Sequence, residues 1–516
     1  MKTHDLKSPR WAYLWLALAG ILNLFAGGRW TLAPAAWLAP VFGLLFLHSH
    51  PKRIRVLYFY LVYWITLAIP WYGATPLWGP AHFIFMAVNA LVAVLPFLLD
   101  RWLAPRLRRA APAHEGRLPF IATLIYPAAG TAIEYLTSAT NPIGNFGALG
   151  YSQVAFPALT QVVALTGMLG LTFLLSWFAS LVIWAWDNEF SWKRVRAGTL
   201  AYALVLLAVV GYGAIRLWTA PVPGAQETAT VISFTVAETK MQELNALQAE
   251  DRDAFREQTR EVHAQYLEWT AAAVADGAEI VLWPELAIAG LEEDVQAAVA
   301  AGQALAREAG IYLAMPTFTF YPDTERPAEN VLYVADPGGA LAIEHVKYGG
   351  NILEGTLKGS GEIRAIDTPH GRLAGIICWD TNYPGIVRQV GRQQTDILLS
   401  PAKEWPGINP LHAEMAALRA IENGTAVVRQ ADEGLSIVVD AYGRRLATGE
   451  GLVETGNYLR AEVPTRGVRT LYTVVGDLVG LVSTLGLIAL AIYALVVGRR
   501  TRTAAAAAPA SPDAVA

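Results

Sequence analysis

The chain has 516 residues, 54% of them hydrophobic and 16% charged, with a formal net charge of −4 and a mean hydropathy of +0.35. That length allows two or three domains, and that apolar content is too high for an ordinary soluble protein. No basic domain of the kind that binds nucleic acid is present, and the single cysteine excludes an internal disulfide and any multi-cysteine metal site.

A membrane-spanning helix needs about 20 mostly apolar residues. Candidate spans lie near 12–28, 31–48, 55–71, 80–99, 118–138, 154–186, 197–218 and 471–498. The sixth is long enough to be tilted or partly interfacial. No small-residue cleavage site follows the first, so it reads as a span and not as a removed signal peptide. Lys and Arg in alternate loops set the orientation. They are Lys2, Lys7 and Arg10; Lys52, Arg53 and Arg55; Arg101, Arg106, Arg108, Arg109 and Arg117; Lys193, Arg194 and Arg196; and Arg499, Arg500 and Arg502. With eight spans these clusters all face the cytoplasm, and the intervening loops carry aromatics such as Trp71, Tyr72 and Trp78. Both termini are then cytoplasmic, and the polar stretch 222–468 lies outside the membrane, tethered at both ends. The expected organisation is a helical bundle over 1–220, a polar domain over 221–468, a last helix over 469–500 and a disordered cytoplasmic tail over 501–516. Glu134 lies in the fifth span near its outer end. An intramembrane carboxylate is costly and marks a functional candidate; the alternative is a residue in contact with headgroups or water.

In the polar domain, short β-prone runs at 230–236, 279–283, 311–319, 330–335, 372–379, 396–400, 425–429 and 435–440 alternate with helical patterns at 242–275, 291–309 and 408–422. Ala-Asp-Pro-Gly-Gly (335–339) and Asp-Ala-Tyr-Gly (440–443) read as hairpin turns. A layered α/β or α+β domain follows.

Common catalytic motifs such as G-x-S-x-G, G-x-x-x-x-G-K and H-E-x-x-H are missing. His345, His370 and His412 are candidate partners for Cys378, with nothing in the sequence tying any of them to it. Three segments end an apolar strand with a reactive side chain: IVLWPELA with Glu285, IEHVKYGG with Lys347 and GRLAGIICWDTNYP with Cys378. Strand ends followed by tight loops are where layered folds expose catalytic groups. Chemically the three form a set. The thiolate is the nucleophile, a carboxylate takes and returns its proton, and an ammonium stabilises both thiolate and oxyanion. One such donor is worth roughly 3–4 kcal/mol of barrier. Each residue alone has a bland reading: a cap, a solvated lysine, an inert core thiol.

These residues resemble the nitrilase superfamily, whose members use a Glu–Lys–Cys triad on an αββα sandwich. The resemblance runs through WPELA, VKYGG, GRLAGIICWDTNYP, DILLSPAKEW and HAEMAALRAIENGTAVVRQADEGLSIVVDAYGRRLA. In the membrane half, AIEYL, GALGYSQ and ALTGMLGLTFLLSW are similar to the membrane acyltransferase branch of that superfamily, the apolipoprotein N-acyltransferases. The resemblance implies about eight transmembrane helices carrying an extracytoplasmic nitrilase-like sandwich. It implies Glu285 as general base, Lys347 as electrostatic helper and Cys378 as nucleophile. Glu354, with Glu362 as rival, would orient the lysine. The Trp379 N–H would share the oxyanion, and Trp405 and Glu134 are candidates for substrate access. The departures are Trp379-Asp380 where Tyr-Glu is usual, GGNILEGTLKG after the lysine, SPAKEW for Ser/Thr-Asn-Asp-x-Trp, VISFTVAETK at the first strand, and Thr137 where an arginine is usual.

The function implied is transfer of an acyl chain from a phospholipid, through a cysteine thioester, to the α-amino group of a lipid-modified N-terminal cysteine of a lipoprotein. The setting is the bacterial inner membrane, with a periplasmic catalytic domain. The partners are membrane lipids, the phospholipid donor and the lipoprotein acceptor. The protein would act as a monomer, without nucleic acid, metal or organic cofactor. Two alternatives remain open at this level: a membrane-tethered amide or nitrile hydrolase, and a non-catalytic lipid- or lipoprotein-binding protein. Segments 241–260 and 349–362 are candidate lids.

Overall fold

The computed structural model describes residues 11–49, 52–110, 119–224, 227–236, 241–450 and 457–507. Among these, five helices are long and apolar enough to cross a membrane: Ile54–Trp71, Gly79–Arg108, Met168–Asp187, Trp192–Trp218 and Leu478–Val496. Shorter helices Ala12–Asn23, Ala33–His48 and Ile125–Thr140 complete the bundle. The outer helices are apolar all round. Trp192–Trp218 leaves Leu200, Leu204, Leu207 and Ile215 exposed, the surface a helix offers to lipid.

The expected single segment 154–186 is broken. Short turns at Pro157–Thr160 and Val163–Thr166 precede Gly167 (φ +64°), and the long helix starts at Met168. A Cβ at Gly167 would lie 2.5 Å from the Tyr472 ring, so the break makes room for the segment that leads back into the bundle. The last helix packs against Gly79–Ala110 and Ile125–Thr140. It runs to Ala507, past the expected limit at 500, through an alanine-rich stretch of high helix propensity. Lys2, Lys7, Arg10, Arg117 and residues 508–516 of the expected tail lie outside the described residues.

The polar domain is two face-to-face sheets. The first orders its strands Asn457–Pro464, Thr228–Thr235, Ile280–Leu282, Tyr312–Phe320, Glu329–Ala335 and Leu341–Val346, with Ile288–Leu291 also paired to Tyr312–Phe320. The second runs Arg445–Glu450, Leu435–Val439, Ala426–Arg429, Ile397–Leu399, Gly371–Gly375 and Ala365–Thr368. Central strands are buried on both faces, which is why they read as unbroken apolar runs such as IVL and ILL. Ile280, Leu282, Leu332, Ile397 and Leu399 fill the space between the sheets. On the outer faces, Val281 and Leu313 meet Tyr266 and Val295 of helices Arg252–Ala275 and Glu292–Ala309. Likewise Leu398 and Val427 meet Val387 and Ala417 of Pro384–Arg392 and Leu411–Asn423. The result is an αββα sandwich.

Both expected hairpin turns are present, at 335–339 and 440–443. The expected helix 242–275 is interrupted at Asp251, whose side chain accepts from Asp253 N (3.1 Å) and Ala254 N (3.0 Å), an N-cap that starts a new helix. Thr228 pairs with Pro464, so the two ends of the domain emerge side by side toward the bundle.

Leu332 is fully buried between the sheets. Leu332→Ala should cost about 2–5 kcal/mol, read as a lowered melting temperature of the purified protein in detergent.

Candidate active site

Glu285 follows strand Ile280–Leu282, Lys347 follows Leu341–Val346, and Cys378 lies just beyond Gly371–Gly375. The first two belong to one sheet and the third to the other, so the site sits on the seam of the sandwich. The Lys347 ammonium bonds Glu285 Oε1 at 2.6 Å and also bonds the Glu354 carboxylate. Glu285 Oε1 accepts from Asn330 Nδ2 at 2.8 Å, and its Oε2 accepts from the backbone N–H of Lys403 at 2.7 Å. The carbonyl of the same Lys403 faces Cys378 Sγ at 3.7 Å. One backbone residue therefore separates the carboxylate from the thiol. Glu285, Lys347 and Cys378 are each 1–2% exposed.

Burial alone would strip the proton from Lys347, but the Glu285 and Glu354 carboxylates outweigh it and hold the ammonium well above its ordinary pKa. Burial raises Glu354, opposed by Lys347. Burial and then Glu285 push the Cys378 thiol well up, while Lys347 and Arg429 pull it down. The free site therefore holds a protonated thiol beside a carboxylate.

Cys378 has φ +45°, a left-handed conformation that costs a non-glycine residue of order 1–3 kcal/mol. Asp380, fully buried, holds the turn. Its Oδ2 accepts from Ile377 N (2.9 Å) and meets His345 Nε2 (2.7 Å), while its Oδ1 accepts from Tyr348 N (2.9 Å) and Gly349 N (2.8 Å). One carboxylate thus ties the lysine loop of the first sheet to the cysteine turn of the second. Sequence reading treated Asp380 only as a departure from a pattern. A short acid two residues past the cysteine, able to collect the free N–H groups of a tight turn, was the available signal.

Of the three histidines, His345 binds Asp380 and His370 lies 3.7 Å from Glu279. His412 is the one brought to the thiol, within a Cys378–Glu404–His412 group whose ligand atoms lie within 4.8 Å of one another. These three types can bind metal, but a protein cation already occupies the group. Arg429 bonds Glu404 and lies 3.0 Å from His412 Nδ1. Against burial, His412 and Arg429 draw Glu404 down to about 2, and burial lowers His412. Glu404 and Arg429 carry no motif that would have singled them out.

Glu354, not Glu362, reaches the lysine. It sits on the turn Asn351–Glu354 between Gly350 (φ +82°) and Gly355 (φ +69°). The other candidate lid, 241–260, is mostly helical, and its residues 241–250 pack through Leu244 beside Phe255 and Leu286. Trp379 points toward the bundle, stacked on Trp405 (6.5 Å between centroids) and against Phe146 (5.3 Å). Trp405 Nε1 donates to Gly73 O at 2.6 Å. Glu134 is away from the triad, on the wall of a cavity in the membrane half.

Thiol, carboxylate and ammonium meet on an αββα sandwich, a set suited to acyl transfer through a covalent intermediate. Residues 241–471 match the carbon-nitrogen hydrolase family model, and residues 9–181 match the apolipoprotein N-acyltransferase N-terminal domain. The chain is 24% identical to an apolipoprotein N-acyltransferase of Geobacter metallireducens, over 84% of this chain and 86% of that one. It is 22% identical to one of Haemophilus influenzae, over 90% and 91%. Among solved structures it is similar to an amidase from Nesterenkonia sp., at 19% identity and a TM-score of 0.37, over 46% of this chain and 91% of that one. The chain thus carries a carbon-nitrogen hydrolase domain behind an apolipoprotein N-acyltransferase N-terminal domain, and over most of its length it is similar to apolipoprotein N-acyltransferases.

The charges around the thiol set a pH test. Glu285→Gln removes an anion that raises the Cys378 pKa, so alkylation by iodoacetamide should begin at lower pH than in the parent. Lys347→Met removes a cation that lowers it and should shift alkylation to higher pH. Rates of alkylation against pH, read by intact mass, check both signs.

Proposed function

We propose that Cys378, Glu285 and Lys347 carry out a two-step acyl transfer from a phospholipid to the α-amino group of a diacylated N-terminal cysteine on a lipoprotein. The observation that carries this reading is the buried Lys347 ammonium bonded to Glu285, with Glu285 one backbone residue from the thiol. In the first step Glu285 takes the thiol proton as sulfur attacks the ester carbonyl. Lys347 and the Trp379 N–H stabilise the oxyanion. Collapse expels the glycerol oxygen, which takes the proton from Glu285 and leaves as lysophospholipid. In the second step the acceptor amine attacks the thioester and gives its proton to Glu285. The new amide forms, and the thiolate leaves and recovers that proton. Two covalent steps replace one difficult exchange. Glu354 positions Lys347, and Trp379 and Trp405 line the side facing the bundle.

Among the described residues, five long apolar helices with the shorter Ala12–Asn23, Ala33–His48 and Ile125–Thr140 fit a bundle of eight spans ending near residue 220 and resuming at 469. The alternating Lys/Arg loops support cytoplasmic termini and a periplasmic catalytic domain in the bacterial inner membrane. Both substrates are amphiphiles held by their chains at about 0.8 kcal/mol per buried CH₂, so a site fixed at the outer leaflet meets them without extracting them.

Intact mass after incubation with phospholipid alone should show one acyl adduct, absent in Cys378→Ser and slowed about 10²–10⁴-fold in Glu285→Gln. A diacyl lipopeptide added next should gain one acyl chain; free fatty acid as the only product would assign hydrolysis instead.

A further inference from the structure

Lys403 lies in SPAKEW, where this chain departs from the pattern it otherwise resembles. The two-residue strand Ala402–Lys403 pairs in parallel with Ala431–Asp432 and belongs to neither large sheet. On one edge, Ala402 N–H donates to Gln430 O at 2.8 Å and Glu404 N–H to Asp432 O at 2.9 Å. The free edge of a strand presents unpaired N–H and C=O groups, and here they belong to Lys403. Its N–H reaches Glu285 Oε2 (2.7 Å), and its C=O accepts from the Cys378 thiol (3.7 Å). One residue therefore aims the base and holds the proton of the nucleophile.

A ladder of two residues is too short to fix a backbone to catalytic tolerance. The side chain supplies a second hold. Lys403 Nζ meets Asp432 Oδ2 at 2.8 Å and also bonds the Glu433 carboxylate. Asp432 lies directly across the ladder from Lys403, so the ion pair locks the register of the two short strands. Asp432 is buried, and Lys403 and Glu433 are partly so. Glu433 is held at φ +59°, a left-handed conformation uncommon for a non-glycine residue. Buried ion pairs are weak evidence of net stability, and their best-attested use is to fix register.

Neither step of the proposed transfer uses this ammonium. The charges that act most on the thiol are those of Glu285, Lys347, Glu404 and Arg429. We infer that Lys403 is a positioning residue: its side chain, clamped to Asp432 and Glu433, holds the backbone that presents Glu285 to Cys378. The thiol proton passes from the Lys403 carbonyl to Glu285 Oε2, and both of those acceptors hang on this one residue. Slack in the clamp lengthens that transfer, and a misplacement of about 1 Å can cost about 10²-fold. The inference rests on the acyl-transfer reading for what the proton transfer serves, and on the clamp for the residue.

The test uses the full chain in detergent and two readouts. Acyl-adduct formation from phospholipid should slow about 10- to 100-fold in Lys403→Met. It should recover to within about threefold of the parent in Lys403→Arg, whose fork can meet both carboxylates. Alkylation of Cys378 by iodoacetamide needs no lipid. Its onset should move to lower pH in Lys403→Met, the direction expected of Glu285→Gln, because a displaced carboxylate raises the thiol less. Removing a cation that acted directly on sulfur would move the onset the other way. In the Glu285→Gln background, Lys403→Met should leave the onset in place and change the adduct rate by less than about twofold, since the group it acts through is already gone.

An onset that moves to higher pH, a folded Lys403→Met that matches the parent, a folded Lys403→Arg as slow as Lys403→Met, or losses that multiply in the double variant overturn the inference. Where Lys403→Met shows no melting transition, Glu433→Gln removes only the partly exposed arm of the clamp and is read by the same criteria. A parent chain that forms no acyl adduct refutes the acyl-transfer reading and leaves alkylation to decide the clamp.

Discussion

The structure turns on one buried ammonium. Lys347 sits where water does not reach, and burial of an isolated cation costs several kcal/mol. Two carboxylates offset that cost: Glu285 from its own sheet and Glu354 from the turn that follows it. Removing Glu285 breaks the fully buried pair, a loss of about 3–5 kcal/mol, while Glu354, on a partly exposed turn, contributes less. The same arrangement sets the chemistry. Burial favours a protonated thiol, and the Glu285 carboxylate adds to that preference against the pull of Lys347. A protonated thiol beside a carboxylate is a latent nucleophile. In the proposed transfer it becomes a thiolate as the proton moves and the sulfur bonds to carbon, under the ammonium that the two carboxylates hold in place.

That ammonium works only if the sulfur faces it from the opposite sheet. Sheet packing alone does not set the position to the needed fraction of an ångström. Asp380 does, by gathering backbone N–H groups from the lysine loop and the cysteine turn onto one side chain. The strained φ of Cys378 is held by the same bonds and by two others: Cys378 N to Pro401 O (2.8 Å) and Thr381 Oγ1 to Cys378 O (2.8 Å). Behind the sulfur, Glu404, His412 and Arg429 fill what would otherwise be a buried polar void with a paired cation and anion.

The residues that were legible in the sequence share a property: each belongs to a pattern that local chemistry writes into neighbouring letters. Strands buried on both faces show as IVL and ILL, and Glu285 falls just after such a run, while Lys347 follows the half-buried edge strand Leu341–Val346. Glu354 was readable as a second carboxylate soon after the lysine. The edge strand Asn457–Pro464 was not legible, because charged residues interrupt its run. The pairing of Asp380 with the lysine loop was also hidden, since it links positions 31 and 32 residues apart across two sheets. Glu404 and Arg429 meet through a helix, a loop and a strand that no spacing rule connects. The break at Gly167 was missed because apolar content alone does not reveal where another chain segment must pass.

The two halves of the molecule are joined by buried polar contacts, which specify geometry more sharply than apolar packing does. Arg419 reaches the Tyr151 hydroxyl, Glu422 Oε1 accepts from Met168 N at 2.8 Å, and Trp405 reaches Gly73. Arg419 and Glu422 lie on helix Leu411–Asn423, whose first turn carries His412 beside the thiol. A helix with one end on the nucleophile and the other on the bundle fixes the height of the sulfur relative to the apolar helices. For a hydrolase of soluble amides that height would be irrelevant. For chemistry on the ester of a lipid it is the coordinate that matters, because the scissile carbonyl sits at a depth set by the bilayer. The rigid joint is therefore the structural counterpart of the lipid substrate, and the reason that catalytic sandwich and membrane bundle form one continuous chain.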